Sequence, residues 1–304
     1  MIQQIYNLLW GDLITIPLPG GSSLGLSLLV ILLIPSGIYF TIRTRFLPFR
    51  LFPEMIHAVL EKDDKSRKDS ISGIQALIVS TACRVGMGNL VGVVAAISAG
   101  GAGAVFWMWL IAVFGASTAF MEATLAQIYK EKDPLYGGYR GGPAYYIHAL
   151  FQKTSSKNRR CVLAVLFALS GLICWCGISQ VIGNSISSAV ENAFHIPPIY
   201  TAVILVLIAA VIVLRKNATV KVLDIMVPIM AGCYFLLTLF IIIKNIHLLP
   251  SVFQKIFMEA FGFRQAVAGG IGAVIMNGAK RGLFSNEAGS GSAPCAAAAA
   301  DISH

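Results

Sequence analysis

Seven stretches of this chain are so long and so apolar that water cannot be the solvent for all of them. They run over 23–42, 72–98, 102–129, 161–190, 198–214, 222–243 and 266–300. A helix needs about 20 such residues to cross the hydrocarbon of a bilayer, since each residue advances it by about 1.5 Å. In lipid a backbone must satisfy its own N–H and C=O groups, so runs of this length are predicted to be helices. Composition agrees: 57% of the 304 residues are hydrophobic and 12% are charged, where a soluble domain carries about 25% charged. That excludes a soluble enzyme, a disordered tail and a nucleic-acid module. The chain reads as an all-α membrane protein, with 1–304 as a single integral membrane domain.

The basic excess, 23 Lys and Arg against 14 Asp and Glu, is concentrated in loops. Arg43, Arg45, Arg50, Lys62, Lys65, Arg67 and Lys68 follow the first pass, and Lys130, Lys132, Arg140, Lys153, Lys157, Arg159 and Arg160 follow the third. Arg215, Lys216 and Lys221 follow the fifth, whereas the links 99–101 and 191–197 contain no Lys or Arg. Positive loops stay cytoplasmic, so the N-terminus is expected outside. Leu47–Leu60 should lie along the inner interface as an amphipathic helix, and 251–263 along the outer one. Trp107 and Trp109 read as interfacial aromatics. The six cysteines lie mostly in apolar runs and complete no zinc set, so they read as small apolar residues. No basic region precedes an apolar core at the N-terminus, so no cleaved signal peptide is expected.

Two passes are abnormal. The second contains Arg84-Val-Gly86-Met-Gly88-Asn89 with Gly92 beyond it, and the seventh contains Ser285-Asn-Glu-Ala-Gly289-Ser-Gly291-Ser-Ala-Pro294. Glycine costs a helix about 1 kcal/mol against alanine, and an ionisable side chain at membrane depth is expensive. Both make sense where a helix unwinds and turns its backbone groups toward an ion or substrate. The competing reading is packing, since glycine pairs also let membrane helices approach closely. Arg84 and Glu287 can equally form a structural ion pair. The two irregular passes are five apart and oppositely oriented, which is the pattern of a five-helix inverted repeat preceded by one extra helix.

The strings GNLVGVVAAISAGGAGAVFWMWLIAVFG (88–115), EATLAQIY (122–129), YRGGPAYYI (139–147) and KRGLFSNEAGSGSAPCAAAAA (280–300) resemble the alanine or glycine:cation symporter family. The resemblance runs from about residue 20 to the end. It implies a leucine-transporter-type inverted-repeat fold: an extra helix at 23–42, a first five-helix repeat at 72–243, and the start of a second repeat at 266–304. It implies sodium-coupled uptake of a small neutral amino acid, alanine or glycine, across the inner membrane, with sodium as coupling ion and no other cofactor. The expected partners are that amino acid, sodium and membrane lipid, with no nucleic acid and no enzymatic role.

The resemblance also implies site residues. Backbone amides of Gly86, Met87 and Gly88 would hold the substrate carboxylate, and carbonyls of Ala82 and Val85 would face sodium, a hard cation that takes oxygen ligands. Asn89 either gives its amide oxygen to sodium or caps the second half-helix. Ser285, Asn286, Ala288, Gly289 and Gly291 would surround the substrate ammonium and methyl. Gln180 and Asn184, spaced i,i+4 on one helix face, either reach the substrate or hydrogen-bond between helices. Glu122 and Gln127 read as structural or gating residues, and the GGPAYY motif as a shaped loop near the inner gate.

Family chains continue through four more helices, so this sequence resembles the N-terminal portion of a split or truncated symporter, with a second polypeptide as a potential source of the rest. The alternatives are a non-transporting membrane remnant, and a membrane enzyme using Arg84 with Glu287. The charge alternation makes a direct prediction. Reporters fused after Lys68, Arg160 or Arg215 should signal cytoplasm, and those after Gly100 or Phe194 the outside. Opposite signals at two of these points would overturn the register of passes.

Overall fold

The computed structural model describes residues 2–17, 23–60, 73–84, 87–134, 138–154, 161–214, 218–262 and 270–300. Its elements in chain order are α1 (Ile2–Leu9), β1 (Ile14–Pro17), β2 (Ser23–Leu26), α2 (Leu28–Arg43), α3 (Leu47–Arg50), α4 (Phe52–Leu60), α5 (Gly73–Arg84), α6 (Met87–Gly100) and α7 (Gly103–Ile128). Then follow β3 (Glu131–Lys132), β4 (Tyr139–Arg140), α8 (Pro143–Thr154), α9 (Val162–Phe194), α10 (Pro198–Leu214), α11 (Ala218–Lys244), α12 (Leu249–Ala260), α13 (Gly270–Asn286) and α14 (Ser292–Ala299). The architecture is mostly α-helical. Among the described residues, three segments are each long and apolar enough to cross a membrane: Gly103–Ile128, Val162–Phe194 and Ile225–Lys244.

Most of the expected passes coincide with helices, and the differences have local causes. The first pass is not helical from its start. Residues Ser23–Leu26 form a strand paired antiparallel with Ile14–Pro17, and the helix begins only at Leu28. β-branched Ile14, Thr15 and Ile16 favour the extended form over a helix at that point. The Leu47–Leu60 segment divides at Leu51 into α3 and α4. The seventh pass divides into two helices, α13 and α14, and the second is described as α5 and α6 on either side of residues 85–86, which lie outside the described residues.

The chain forms two compact units. One comprises Met1–Val59, Arg84–Glu122 and Cys233–Ala293. Its core joins Val30, Ile111, Met276, Ala279 and Leu283, with Leu24, Leu26, Leu29, Leu33, Ile34 and Phe114 packed around them. Ala96, Ala104 and Met108 form a second buried cluster. Helix α13 lies along α6 and meets α7 at Gly278, where an added Cβ would sit 2.5 Å from the Ala104 carbonyl oxygen and 2.6 Å from Trp107 Cβ. Only glycine lets these two backbones approach so closely.

Helix α12 is fastened to the start of α7. The buried Glu259 carboxylate accepts the Ala102 N–H at 2.7 Å, and this places a negative charge at the positive end of the α7 dipole. The Trp107 indole donates to the Ala260 carbonyl at 3.1 Å, and Phe106 stacks against Phe257 and Phe261 with ring centroids 5.7 and 5.1 Å away. Half-buried Trp107 thus ties α7 to α12. At the N-terminus Lys280 of α13 reaches Asp12 at 2.8 Å and the Trp10 carbonyl at 3.0 Å, which holds the hairpin over that helix.

The second unit comprises Leu60–Cys83, Ala123–Gly232 and Pro294–His304. Within it α8 and α10 pack on α9. Helix α9 ends where His195 turns left-handed at φ 57° and its N–H returns to the Glu191 carbonyl at 2.8 Å, ahead of Pro197 and Pro198. Large apolar side chains such as Leu166, Leu172, Ile173 and Trp175 stay exposed on α9, an arrangement that is costly in water but natural in lipid. Packing yields a stability prediction for the α13–α7 contact. Gly278→Val should destabilise the detergent-solubilised protein by about 1–3 kcal/mol through overpacking, read as a lowered thermal-unfolding midpoint.

Candidate functional site

The seventh pass opens into an irregular segment between Asn286, where α13 ends, and Ser292, where α14 begins. Glu287, Gly289 and Gly291 adopt positive φ of 52°, 91° and 89°. Glycine takes such angles freely, whereas a residue with a Cβ is strained there. The strain at Glu287 is held by its surroundings. Its carboxylate accepts the Ser292 hydroxyl at 2.6 Å, and its carbonyl accepts the Ser290 N–H at 3.1 Å.

Neighbouring side chains take up the other backbone groups of the break. Asn286 Oδ1 accepts the Ala288 N–H at 2.9 Å, while Asn286 Nδ2 donates to the Ile111 carbonyl of α7 at 3.4 Å. Gly115 leaves room for that amide, since a Cβ there would lie 2.4 Å from Asn286 Nδ2. The Gly289 N–H donates to Glu122 Oε2 at 3.0 Å. Ser290 and Ser292 hydroxyl oxygens lie 3.1 Å apart.

The two irregular passes meet here. Ser285 Oγ, in the last turn of α13, donates to Asn89 Oδ1 in the first turn of α6. A small apolar cleft lies beside Ala288, lined by Leu33 and Ile34 of α2, by Ile111, Phe114, Gly115 and Thr118 of α7, and by Leu283. Thus Asn89, Ser285, Asn286, Ala288 and Gly289 come together in one neighbourhood, with Gly291 closing it. In the second pass Ala82 lies in the last turn of α5, and Met87 and Gly88 open α6. Val85 and Gly86 lie outside the described residues. Gln180 and Asn184 stand one turn apart on α9, both exposed, and belong to the second unit.

Glu122 is more central than its place near the end of its pass implied, because its carboxylate holds the peptide N–H of the most strained stretch. Its signal was available in the sequence: an ionisable residue inside an apolar run needs a partner. Gly115 gave no such signal. The Glu287 carboxylate accepts the Ser292 hydroxyl; the side chain of Arg84, its other expected partner, lies outside the described residues. Among the described residues no three His, Cys, Asp or Glu side chains converge as a metal centre. What the segment offers is carbonyl, hydroxyl and amide oxygen.

Two glycine substitutions separate the roles of the irregular passes. Gly289→Ala should destabilise by about 1–3 kcal/mol, because of the backbone strain at φ 91° and the Leu33 methyl 2.8 Å from the new Cβ. Gly92→Ala, on α6 with nothing within 4 Å of its Cβ position, should be neutral or stabilise by up to about 1 kcal/mol. Thermal unfolding of both variants checks this; equal shifts would show that the break imposes no special conformation.

Known proteins bear on the same residues. The description "Sodium:alanine symporter family" matches residues 20–304. The chain is 46% identical over 275 residues to the amino-acid carrier protein AlsT of Bacillus subtilis, covering 90% of this chain and 57% of AlsT. It is 43% identical over 279 residues to the probable sodium/glutamine symporter GlnT of the same organism, covering 91% and 56%. To the sodium/alanine symporter AgcS of Methanococcus maripaludis it is 37% identical over 279 residues, covering 91% and 61%. The chain therefore spans a little over half the length of these relatives.

Proposed function

Because the chain belongs to the sodium:alanine symporter family, a family of multi-pass membrane transporters, we propose that it carries a small neutral amino acid across the inner membrane together with sodium. The observation that carries the reading is the break of pass seven at Glu287–Gly291, joined to pass two by the Ser285–Asn89 hydrogen bond. Unwound backbone at membrane depth is tolerated where it lines a cavity, and there it supplies the groups that bind substrate and ion. In this reading Gly86, together with Met87 and Gly88 at the start of α6, presents amide N–H groups to the substrate carboxylate, helped by the positive end of the helix dipole. Oxygen donors at Ala82, Val85 and Asn89 take sodium. The inverted-repeat arrangement and the outside N-terminus belong to the same proposal.

Small size of the substrate is supported by what surrounds the break. Ala288 is buried beside the cleft, and Gly289 and Gly291 present no side chains. AlsT and AgcS are named for an amino acid and for alanine, and GlnT for glutamine; the glycine-lined segment favours alanine or glycine. Gln180 and Asn184 would complete the substrate's polar contacts from α9. Glu122 would hold the break in shape while the ligands exchange.

Labelled alanine uptake into proteoliposomes tests the function. With a second polypeptide matching the rest of its relatives' length, a sodium gradient should drive accumulation, potassium should not replace it, and excess unlabelled glycine should compete better than glutamine. Gly88→Leu should abolish uptake without preventing insertion, because its side chain fills the space where carboxylate meets amide. Uptake that is indifferent to the cation would sink the sodium coupling, and full activity of Gly88→Leu would move the substrate elsewhere.

A further inference from the structure

Helix α14 is almost devoid of anchoring side chains: its sequence is Ser-Ala-Pro-Cys-Ala-Ala-Ala-Ala. The last carbonyls of any helix also lack intrahelical donors. Both deficits are met by one stretch of chain within the second unit. At the end of α7, Gln127 Nε2 donates to the carbonyl of Ala297 and, at 3.1 Å, to that of Ala300. Lys130 Nζ donates to the Ala300 carbonyl at 2.9 Å, and this sets a cation at the negative end of the α14 dipole.

Lys130 is itself held in place. Its ammonium lies 4.2 Å from the centroid of the Tyr139 ring, within cation–π range. Tyr139 pairs with Lys132, and Arg140 with Glu131, across the short β3–β4 ladder. Beyond the ladder the backbone of Gly141 and Gly142 lies directly on α14. A Cβ on Gly141 would sit 2.8 Å from Ala298 Cβ, and one on Gly142, whose φ is 127°, would sit 2.6 Å from Cys295 Sγ. The Arg-Gly-Gly-Pro motif thus has a physical reason: any larger residue would push the loop off the helix.

We propose that residues 127–134 and 138–142 form a clasp on the C-terminal end of α14, with Gln127 and Lys130 as positioning residues for the second half of pass seven. The clasp holds the alanine-rich C-terminal end of α14, and so fixes one end of the segment that follows the strained break. The functional arm rests on the transport reading above: with the clasp loosened, substrate still binds at the break, but rearrangement of α14 no longer drives the loop.

Two measurements on the full chain in proteoliposomes or detergent test this. Hydrogen–deuterium exchange of peptides covering α14 should accelerate by about tenfold in the Gln127→Ala/Lys130→Ala double variant, as a local opening would produce, with α9 unchanged. Lys130→Arg, which keeps the cation and the donor, should exchange like the parent. In uptake assays the double variant should lose turnover while the alanine KM stays within about twofold, the signature of lost transition rather than lost binding. Unchanged α14 exchange in the double variant overturns the clasp. Faster exchange with unchanged turnover, or with the whole loss in KM, overturns the positioning role. A parent chain that takes up no alanine, both alone and with a second polypeptide matching the rest of its relatives' length, overturns the symport reading, and the exchange measurement still decides the clasp.

Discussion

A backbone group that leaves a helix at membrane depth has no water to bind, so every irregularity must come with its own hydrogen-bond partners. The break in pass seven is built around that constraint. Its N–H groups at Ala288 and Gly289 go to Asn286 and Glu122, and its carbonyl at Glu287 goes to Ser290. The positive φ values that create the turn fall on two glycines and on Glu287, whose side chain is fixed by Ser292. Each polar residue of the Ser285–Ser292 string therefore has a structural use in this conformation.

That dual use bears on how such a segment could work. Asn286 holds Ala288 and Ile111 with the two ends of its amide, and Ser285 is engaged with Asn89. A ligand arriving at the break would compete with or recruit these bonds, so binding and local shape are coupled by construction. Charge at the break comes from Glu122 and Glu287, both committed to neighbouring donors. Both carboxylates are half-buried, and a polar group that loses its partner away from full solvent costs more than the bond itself contributes.

Around the break the helices are placed by close approach and by ties between distant parts of the chain. Gly278 brings α13 onto α7, Glu259 caps the start of α7, and Lys280 holds the N-terminal hairpin through Asp12. The end of α14, poor in side chains of its own, depends on Gln127 and Lys130. Small-residue helices in a membrane gain little from hydrophobic contact with one another, and such polar ties give them a defined position.

The chain's own sequence determined its solvent, its helical class and the location of the break in its seventh pass. Those follow from local composition: apolar runs about as long as a bilayer is thick must be helices, and glycine clusters within them weaken the helix wherever they occur. The break at Glu287–Gly291 was legible in this way, and so was the family, from the motif around it. Tertiary structure alone decided the partners. Glu122 meets Gly289 across 167 positions and Gln127 meets Ala297 across 170, and no local pattern encodes such pairs. The strand at Ser23–Leu26 was equally hidden, because its extended form depends on pairing with Ile14–Pro17 and not on its own propensity. A residue's helix or lipid preference is a property of its neighbours in sequence, whereas a hydrogen bond between passes exists only once two backbones have been brought within reach.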